Sequence, residues 1–579
     1  MAAQAAQGLV LDRTPRELLS LVWGFTVHLR REWGLALRAA LLMALITGIA
    51  LVGPWIHRAV IDEALMKRDA PFLWQLLAIL LVLALAQFGL SFLRTMVLLR
   101  LRLKILFLVR RDVMEHLQFL PLGFHRATNP GYLMVRLGSD VERLAPLFGD
   151  SLLGVLQNTL LIIFGIPLVF YINYGLALMV LGLVPFYLLN HYLFARRTRR
   201  LAAENQELWA RVWGRVEENL SIITSVKLFG RELYETIRFM RVAKQAVRHQ
   251  VRLTVVQALG ALMTQMFTGL GPIVVLAYAG TQIIAGHMTL GDLVAFSVYM
   301  GLLVGPVRSV FQYGLGVQGA LASLERVYDI LDREREIGPE DRDLDPLEGF
   351  EGRIELRGVS FSYRPAQPVL RGVDLTLAPG QAVALQGANG SGKTTIVNLI
   401  VGLHAPSEGV ILLDGRPMTA VSKRALRRKI GVVSRDNFFF CGSIRENIAY
   451  GRAGATDEEI ERAARLARVT DFCEEFPLGL DSHLGERGDE LSRGQLQRVA
   501  LARTLLRDPA VLILDEGTTS IDRSSRELIH KTLEGFSGQK TLIVISHEDD
   551  WPALDQAYVL EDGQLQARPS DAGQDGPGD

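Results

Sequence analysis

Six long apolar runs fill the first half of the chain, at about residues 35–56, 71–98, 152–172, 175–195, 258–285 and 290–312. A helix needs about 20 apolar residues, at 1.5 Å each, to cross the hydrocarbon core of a bilayer. Each run meets that length. Hydrophobic residues make up 49% of the chain and mean hydropathy is +0.23, too apolar for an ordinary cytosolic enzyme.

Orientation follows from where Lys and Arg sit. The segment between runs two and three carries Arg100, Arg102, Lys104, Arg110, Arg111, Arg126, Arg136 and Arg143. The segment between runs four and five carries Arg196, Arg197, Arg199, Arg200, Arg211, Arg215, Lys227 and Arg231. The short links Asn173-Tyr174-Gly175 and Gly286-His287-Met288-Thr289 carry neither residue type. Long loops and both termini are therefore expected in the cytoplasm, for a multi-pass protein of the cell (inner or plasma) membrane. The basic clusters read as topology signal and solvated helix surface. Net charge is +1, which gives no electrostatic case for nucleic acid.

Both long loops mix apolar and charged residues at helical spacing. This predicts helices that continue from runs two to five into the cytosol, with a turn at the end of each loop. Within the runs, Asn158, Gln257, Gln265, Gln282 and Tyr299 are expected to face a bundle interior. Interhelical hydrogen bonding and substrate contact are both open readings for them. Met1 to Arg31 is mixed and amphipathic, unlike a cleaved signal peptide. Cys441 and Cys473 give neither a disulfide framework nor metal-ligand spacing.

Residues 1–331 form the membrane domain in this division. An acidic linker spans 332–351, an α/β domain spans 352–566, and 567–579 read as a disordered Gly/Pro/Asp-rich tail. Val383-Ala384-Leu385-Gln386 reads as a buried strand leading into Gly387-Ala388-Asn389-Gly390-Ser391-Gly392-Lys393-Thr394, and a helix follows from Thr395. Glycines there let backbone N–H groups converge on phosphate oxygens, and the helix N-terminus adds a favourable dipole. Lys393 is placed to reach the β/γ-phosphates and the Thr394 hydroxyl to ligate Mg²⁺. A second apolar strand, Val511 to Leu514, ends in Asp515 and Glu516. Asp515 is placed to hold the Mg²⁺ shell, Glu516 to orient and polarise an attacking water. A third strand, Thr541 to Ile545, ends at Ser546-His547, where His547 is placed to contact the γ-phosphate.

Together these residues resemble the ATP-binding cassette (ABC) transporter superfamily, in particular exporters that fuse six spans to one cassette. The resemblance covers nearly the whole chain. It implies a helical polytopic membrane domain followed by an α/β P-loop NTPase domain. Tyr363 matches the aromatic that stacks on adenine. Gly485-Glu486-Arg487-Gly488 and Leu491-Ser492-Arg493-Gly494-Gln495 match the loop that contacts the cytoplasmic helices and the signature segment. Thr519-Ser520-Ile521-Asp522 matches the segment crossing a dimer interface, and His547 the switch histidine. The family implies a dimer with two ATPs sandwiched head to tail. Ser492, Gly494 and Gln495 would then contact ATP held by the other subunit. Gly387, Asn389, Gly390, Ser391, Gly392, Lys393, Thr394 and Thr395 would cradle it on this chain. The turns near Phe119–Tyr132 and Ile222–Leu228 resemble coupling helices.

Departures are informative. Arg435 stands where the family usually carries a Gln that touches Mg²⁺ and the attacking water, and a guanidinium cannot coordinate a cation. Arg493 replaces the first glycine of the signature, and Thr519 and Ser520 stand where Ser and Ala are usual. Glu516 and His547 are intact. The second half-transporter subunit is therefore either another copy, slightly preferred because no catalytic carboxylate is missing, or a different chain. The expected activity is ATP hydrolysis driving export of a lipid, drug or small peptide by alternating access. The alternatives are an exporter-fold importer of a metal chelate and an ATP-gated channel.

Overall fold

The structure, a computed structural model, describes residues 30–145, 152–364, 367–434, 437–485, 490–515, 523–545 and 554–568. It divides the chain into two compact units. One comprises 1–114 and 133–331; the other comprises 115–132 and 332–579.

The first unit is helical. Its long helices are α1 (Trp33–Ala59), α2 (Ala70–Gln118), α3 (Leu152–Ile172), α4 (Tyr174–Ser221), α5 (Glu232–Ile284) and α6 (Leu290–Leu331). Among the described residues, four helical stretches are long and apolar enough to cross a membrane: Trp33–Leu65, Ala70–Gln118, Gly154–Ile172 and Glu232–Ile284. α4 and α6 begin where the fourth and sixth runs were read. At the tight link before α4, the Asn173 side chain accepts from the Leu176 N–H at 3.0 Å, capping a helix start whose amides would otherwise lack partners. As expected, α2, α4 and α5 run far beyond membrane length. The short helices Leu122–Ala127 and Ile223–Leu228 occupy the two predicted turns.

Val169, Leu176, Val275, Phe296 and Tyr299 share one buried cluster. Tyr299 is wholly buried, and its hydroxyl donates to the Leu51 carbonyl at 2.5 Å, the interhelical bond that an intramembrane polar group needs. Gln257 and Gln265 are exposed in the single chain. α5 packs on α4, where Asn190 Nδ2 bonds Thr264 Oγ1 at 3.0 Å and Asn205 Nδ2 bonds Gln250 Oε1 at 2.7 Å. Near the end of α1, a π-helical stretch Val60–Leu65 carries Asp62. Its carboxylate accepts from Thr289 Oγ1 at 2.6 Å and the Gly291 N–H at 2.9 Å, tying α1 to the start of α6.

The second unit is α/β. Strands β1 (Ile354–Arg364), β2 (Gln367–Leu377), β4 (Glu408–Leu413) and β5 (Arg416–Pro417) form an antiparallel sheet in the order β2-β1-β4-β5. Strands β3 (Ala382–Gln386), β6 (Ile430–Ser434), β7 (Val511–Asp515), β8 (Thr541–Ile545), β9 (Gln556–Glu561) and β10 (Gln564–Arg568) form the other, ordered β10-β9-β3-β8-β7-β6. All neighbours in it are parallel except β9 and β10. β7 and β8 are buried along their whole length, as strands of a sheet covered on both faces must be. The segment read as a linker packs into this unit: Asp341, Leu347 and Phe350 are buried.

Candidate functional site

Strand register assembles the site. In the parallel sheet Ser434 pairs with Asp515, Asp515 with Ile545, and Ile545 with Leu385. Four strands therefore end at one edge, where an open parallel sheet presents its ligand crevice. β8 lies between β3 and β7, so the strand leading to His547 separates the phosphate-loop strand from the carboxylate strand. Glu516, His547 and Arg435 lie outside the described residues, as do Glu486 to Gly488 and Thr519 to Asp522.

The loop 387–392 leaves β3 and enters α7 (Lys393–Ile400). Gly387 sits at φ +146°, and a Cβ there would meet the Leu560 carbonyl oxygen at 2.5 Å. Gly392, at φ +114°, holds the N-cap position of α7 without a capping side chain. The first amides of α7 therefore stay available to an anion. Asn389 and Gly390 are exposed and Ser391 is half-buried. Ser391 Oγ is buried and has no hydrogen-bond partner, a polar atom in a phosphate-loop position that lacks an internal acceptor.

Lys393 is 4% exposed, and its ammonium donates to the carbonyls of Gly387 at 2.8 Å and Ala388 at 2.9 Å. The Thr394 hydroxyl donates to Asp515 Oδ1 at 3.2 Å, joining two positions 121 residues apart. Asp515 is buried at the end of β7. Thr394 and Asp515 together offer oxygen donors only, the ligand type that Mg²⁺ prefers, so the residues fit that ion. Thr395 is buried, and its Oγ1 lies 3.2 Å from the Tyr363 hydroxyl. The Tyr363 ring is half exposed and meets Phe361 edge-on at 4.9 Å and His404 edge-on at 5.3 Å.

The segment Leu491 to Gln495 starts a different helix, α9 (Arg493–Leu505). Its capping box is complete: Ser492 Oγ accepts from the Gln495 N–H at 3.2 Å, and Gln495 Oε1 accepts from the Ser492 N–H at 2.8 Å. Ser492 and Arg493 are exposed while Gly494 is buried. None of the hydrogen bonds of Ser492, Gly494 or Gln495 described reaches Lys393, Thr394 or Asp515 of the same chain.

Sequence reading missed His404. His404 follows α7 and meets Phe361 at a tilt and Tyr363 edge-on. No local pattern marks it, because a lone histidine carries no spacing signal.

Sheet, loop and helices together define a nucleotide-binding domain fused to a membrane domain. Comparison with known proteins agrees. Residues 37–307 match the ABC transporter transmembrane region and residues 370–519 match the ABC transporter family. The chain belongs to the ABC transporter family. It is a membrane-spanning, ATP-hydrolysing transporter of exporter architecture, with its ATP-binding domain in the cytoplasm. One membrane region joined to one ATP-binding region is half of a transporter, which implies dimerisation. Relatives from Staphylococcus aureus strains NCTC 8325 / PS 47 and COL are 32% identical over 464 residues, covering 80% of this chain and 80% of theirs. They carry the provisional name multidrug export ATP-binding/permease protein. A solved structure of a bacterial Atm1-family ABC exporter with ATP bound is 26% identical, with a TM-score of 0.79 over 93% of this chain and 94% of that one.

Proposed function

We propose that the protein is a homodimeric exporter of apolar or amphipathic small molecules, with drugs, lipids and small peptides as the candidate class. The reading is carried by one observation: Lys393, Thr394 and Asp515 converge at one sheet edge. The multidrug-export name of the Staphylococcus relatives supports the substrate class. A homodimer is favoured because this chain keeps Glu516 and His547 in its sequence.

In this reading Lys393 exchanges its carbonyl partners for the β/γ-phosphates of ATP. The first amides of α7 and the Ser391 hydroxyl hold the remaining phosphate oxygens. Tyr363 stacks on adenine through its open face. Thr394 and Asp515 would hold Mg²⁺, which would supply charge neutralisation for the bound triphosphate. Glu516 orients the water that attacks in line and takes up its proton, and His547 holds the γ-phosphate. The partner's Ser492, Gly494 and Gln495 close over the nucleotide, so that binding favours joined cassettes and an outward-open cavity.

The test uses inverted membrane vesicles and the dye Hoechst 33342. Mg-ATP should drive dye into the vesicle lumen, and Lys393→Ala should abolish both nucleotide retention and dye movement. Dye movement untouched by Lys393→Ala sinks the reading. ATP-driven flux out of the vesicle lumen indicates an importer instead.

A further inference from the structure

The C-terminal end of α7 is held from outside the helix. Arg427, on the helix α8 (Lys423–Lys429), donates Nε to the Val401 carbonyl at 3.4 Å and Nη2 to the Gly402 carbonyl at 3.0 Å. Carbonyls at a helix end have no partner within the helix, and a cation suits that negative end of the dipole. The same guanidinium pairs with the Glu336 carboxylate. Their side chains are 25% and 12% exposed, so water screens the pair only in part.

Glu336 continues the connection. Its backbone N–H donates to the Phe119 carbonyl at 2.7 Å, and its carbonyl accepts from Lys423 Nζ at 3.2 Å. Phe119 immediately precedes the first cytoplasmic turn, and its ring carries the Arg424 guanidinium at 5.1 Å and that of Arg335 at 5.9 Å. On the turn itself, Phe124 carries the Arg333 guanidinium at 4.9 Å. All of these residues belong to the second unit.

We propose that Glu336 and Arg427 form a strut through which a nucleotide-induced shift of α7 reaches the first cytoplasmic turn. The inference rests on the phosphate loop being the ATP site. A planar guanidinium gripping three oxygens holds them at fixed mutual distances, so the end of α7 and the Glu336 carboxylate move together. The backbone bond from Glu336 to Phe119 passes that displacement to the turn. Glu336 touches no nucleotide in this scheme; it is a positioning residue.

Hydrogen exchange on the purified full-length protein tests this, with and without Mg-ATP and vanadate. In the wild type, amides of 393–400 and of 117–127 should both change their exchange on adding nucleotide. In Glu336→Ala the response at 393–400 should persist, while that at 117–127 should be largely lost. Glu336→Gln, which keeps the side-chain shape, should fall in the same direction. A purely structural role would alter exchange of the turn equally with and without nucleotide, and the difference would survive. A full response at 117–127 in either correctly folded variant, or none there in the wild type, overturns the strut. No response at 393–400 in the wild type overturns the ATP-site reading itself.

Discussion

Asp140 and Arg326, 186 residues apart in sequence, are joined by two hydrogen bonds, Arg326 Nη2 to Asp140 Oδ1 at 2.6 Å and Nε to Oδ2 at 3.0 Å. The carboxylate is also paired with Arg136, one helical turn earlier, and accepts from Ser323 Oγ at 3.2 Å. Asp140 is 1% exposed. It ends a π-helical stretch, Arg136–Asp140, that follows the first cytoplasmic turn, and Ser323 and Arg326 lie on α6. The cluster thus ties that stretch to α6, with one carboxylate facing two guanidinium groups.

Asp140→Asn leaves two guanidinium groups facing a neutral amide. Removing one partner of a buried pair destabilises by about 3–5 kcal/mol. Arg326 is partly open to water, so about 3 kcal/mol is expected here. Thermal unfolding in detergent should show a clearly lower midpoint, and an unchanged midpoint would refute the assignment. Burial alone would raise the Asp140 pKa, but hydrogen bonds from Arg326 and Arg136 outweigh it and hold the carboxyl below its ordinary value. A depressed carboxylate stabilises above its unfolded pKa, near 4, and that contribution is lost as pH falls through the folded value.

His404 should give a second, separate acid dependence. Its Nε2 is buried with no hydrogen-bond partner. Burial first, and the positive charge of Arg126 second, lower its pKa; the Glu336 carboxylate opposes them. The folded protein therefore keeps the ring neutral where an unfolded chain would begin to protonate it. Stability from this group is complete above the unfolded pKa, about 6.5, and declines as pH falls from there toward the folded value. His404→Phe should flatten the midpoint-versus-pH curve below about pH 6.5. Superimposable curves for variant and wild type would count against this.

Contiguous signals were legible in the sequence. The phosphate loop is eight consecutive residues, and the six apolar runs announce themselves by length; among the described residues, α1, α2, α3 and α5 carry stretches long and apolar enough to span a membrane. Pairings made across the fold were not. Thr394 with Asp515 was anticipated only through the chemistry each would share, and Thr395 with Tyr363 left no trace in any local pattern. The place of β8 between β3 and β7 is a matter of sheet order, which alternation of apolar residues does not encode. Glu336 read as part of an acidic linker because charge runs usually mark solvated chain; only the partner Arg427, 91 residues on, shows otherwise.

Gly387→Ala should damage the loop through geometry alone. Its φ of +146° disfavours any L side chain, and the added methyl would sit 2.5 Å from a backbone oxygen that cannot rotate away. Strain of this kind costs about 1–3 kcal/mol. The variant should unfold at lower temperature and retain less ATP on equilibrium dialysis. Wild-type retention would mean that the loop relaxes more easily than this packing implies.

Glu516 and Arg435 supply the sharpest tests of the chemistry. Each follows directly on a strand end, Asp515 and Ser434, that the sheet holds in register. If Glu516 positions and deprotonates the water, Glu516→Gln should cut steady-state hydrolysis by about 10²-fold or more while leaving ATP binding intact. In the proposed mechanism Arg435 takes the place of a metal- and water-directed amide, and its guanidinium has no lone pair to offer a cation. Arg435→Gln should therefore raise turnover several-fold, read as phosphate release at saturating Mg-ATP. The gain must vanish in the double variant with Glu516→Gln, because an amide that merely aids metal and water placement cannot act without the base. Unchanged or lower hydrolysis in the single variant rejects the role given to Arg435, and a gain that survives loss of Glu516 assigns the catalytic base elsewhere.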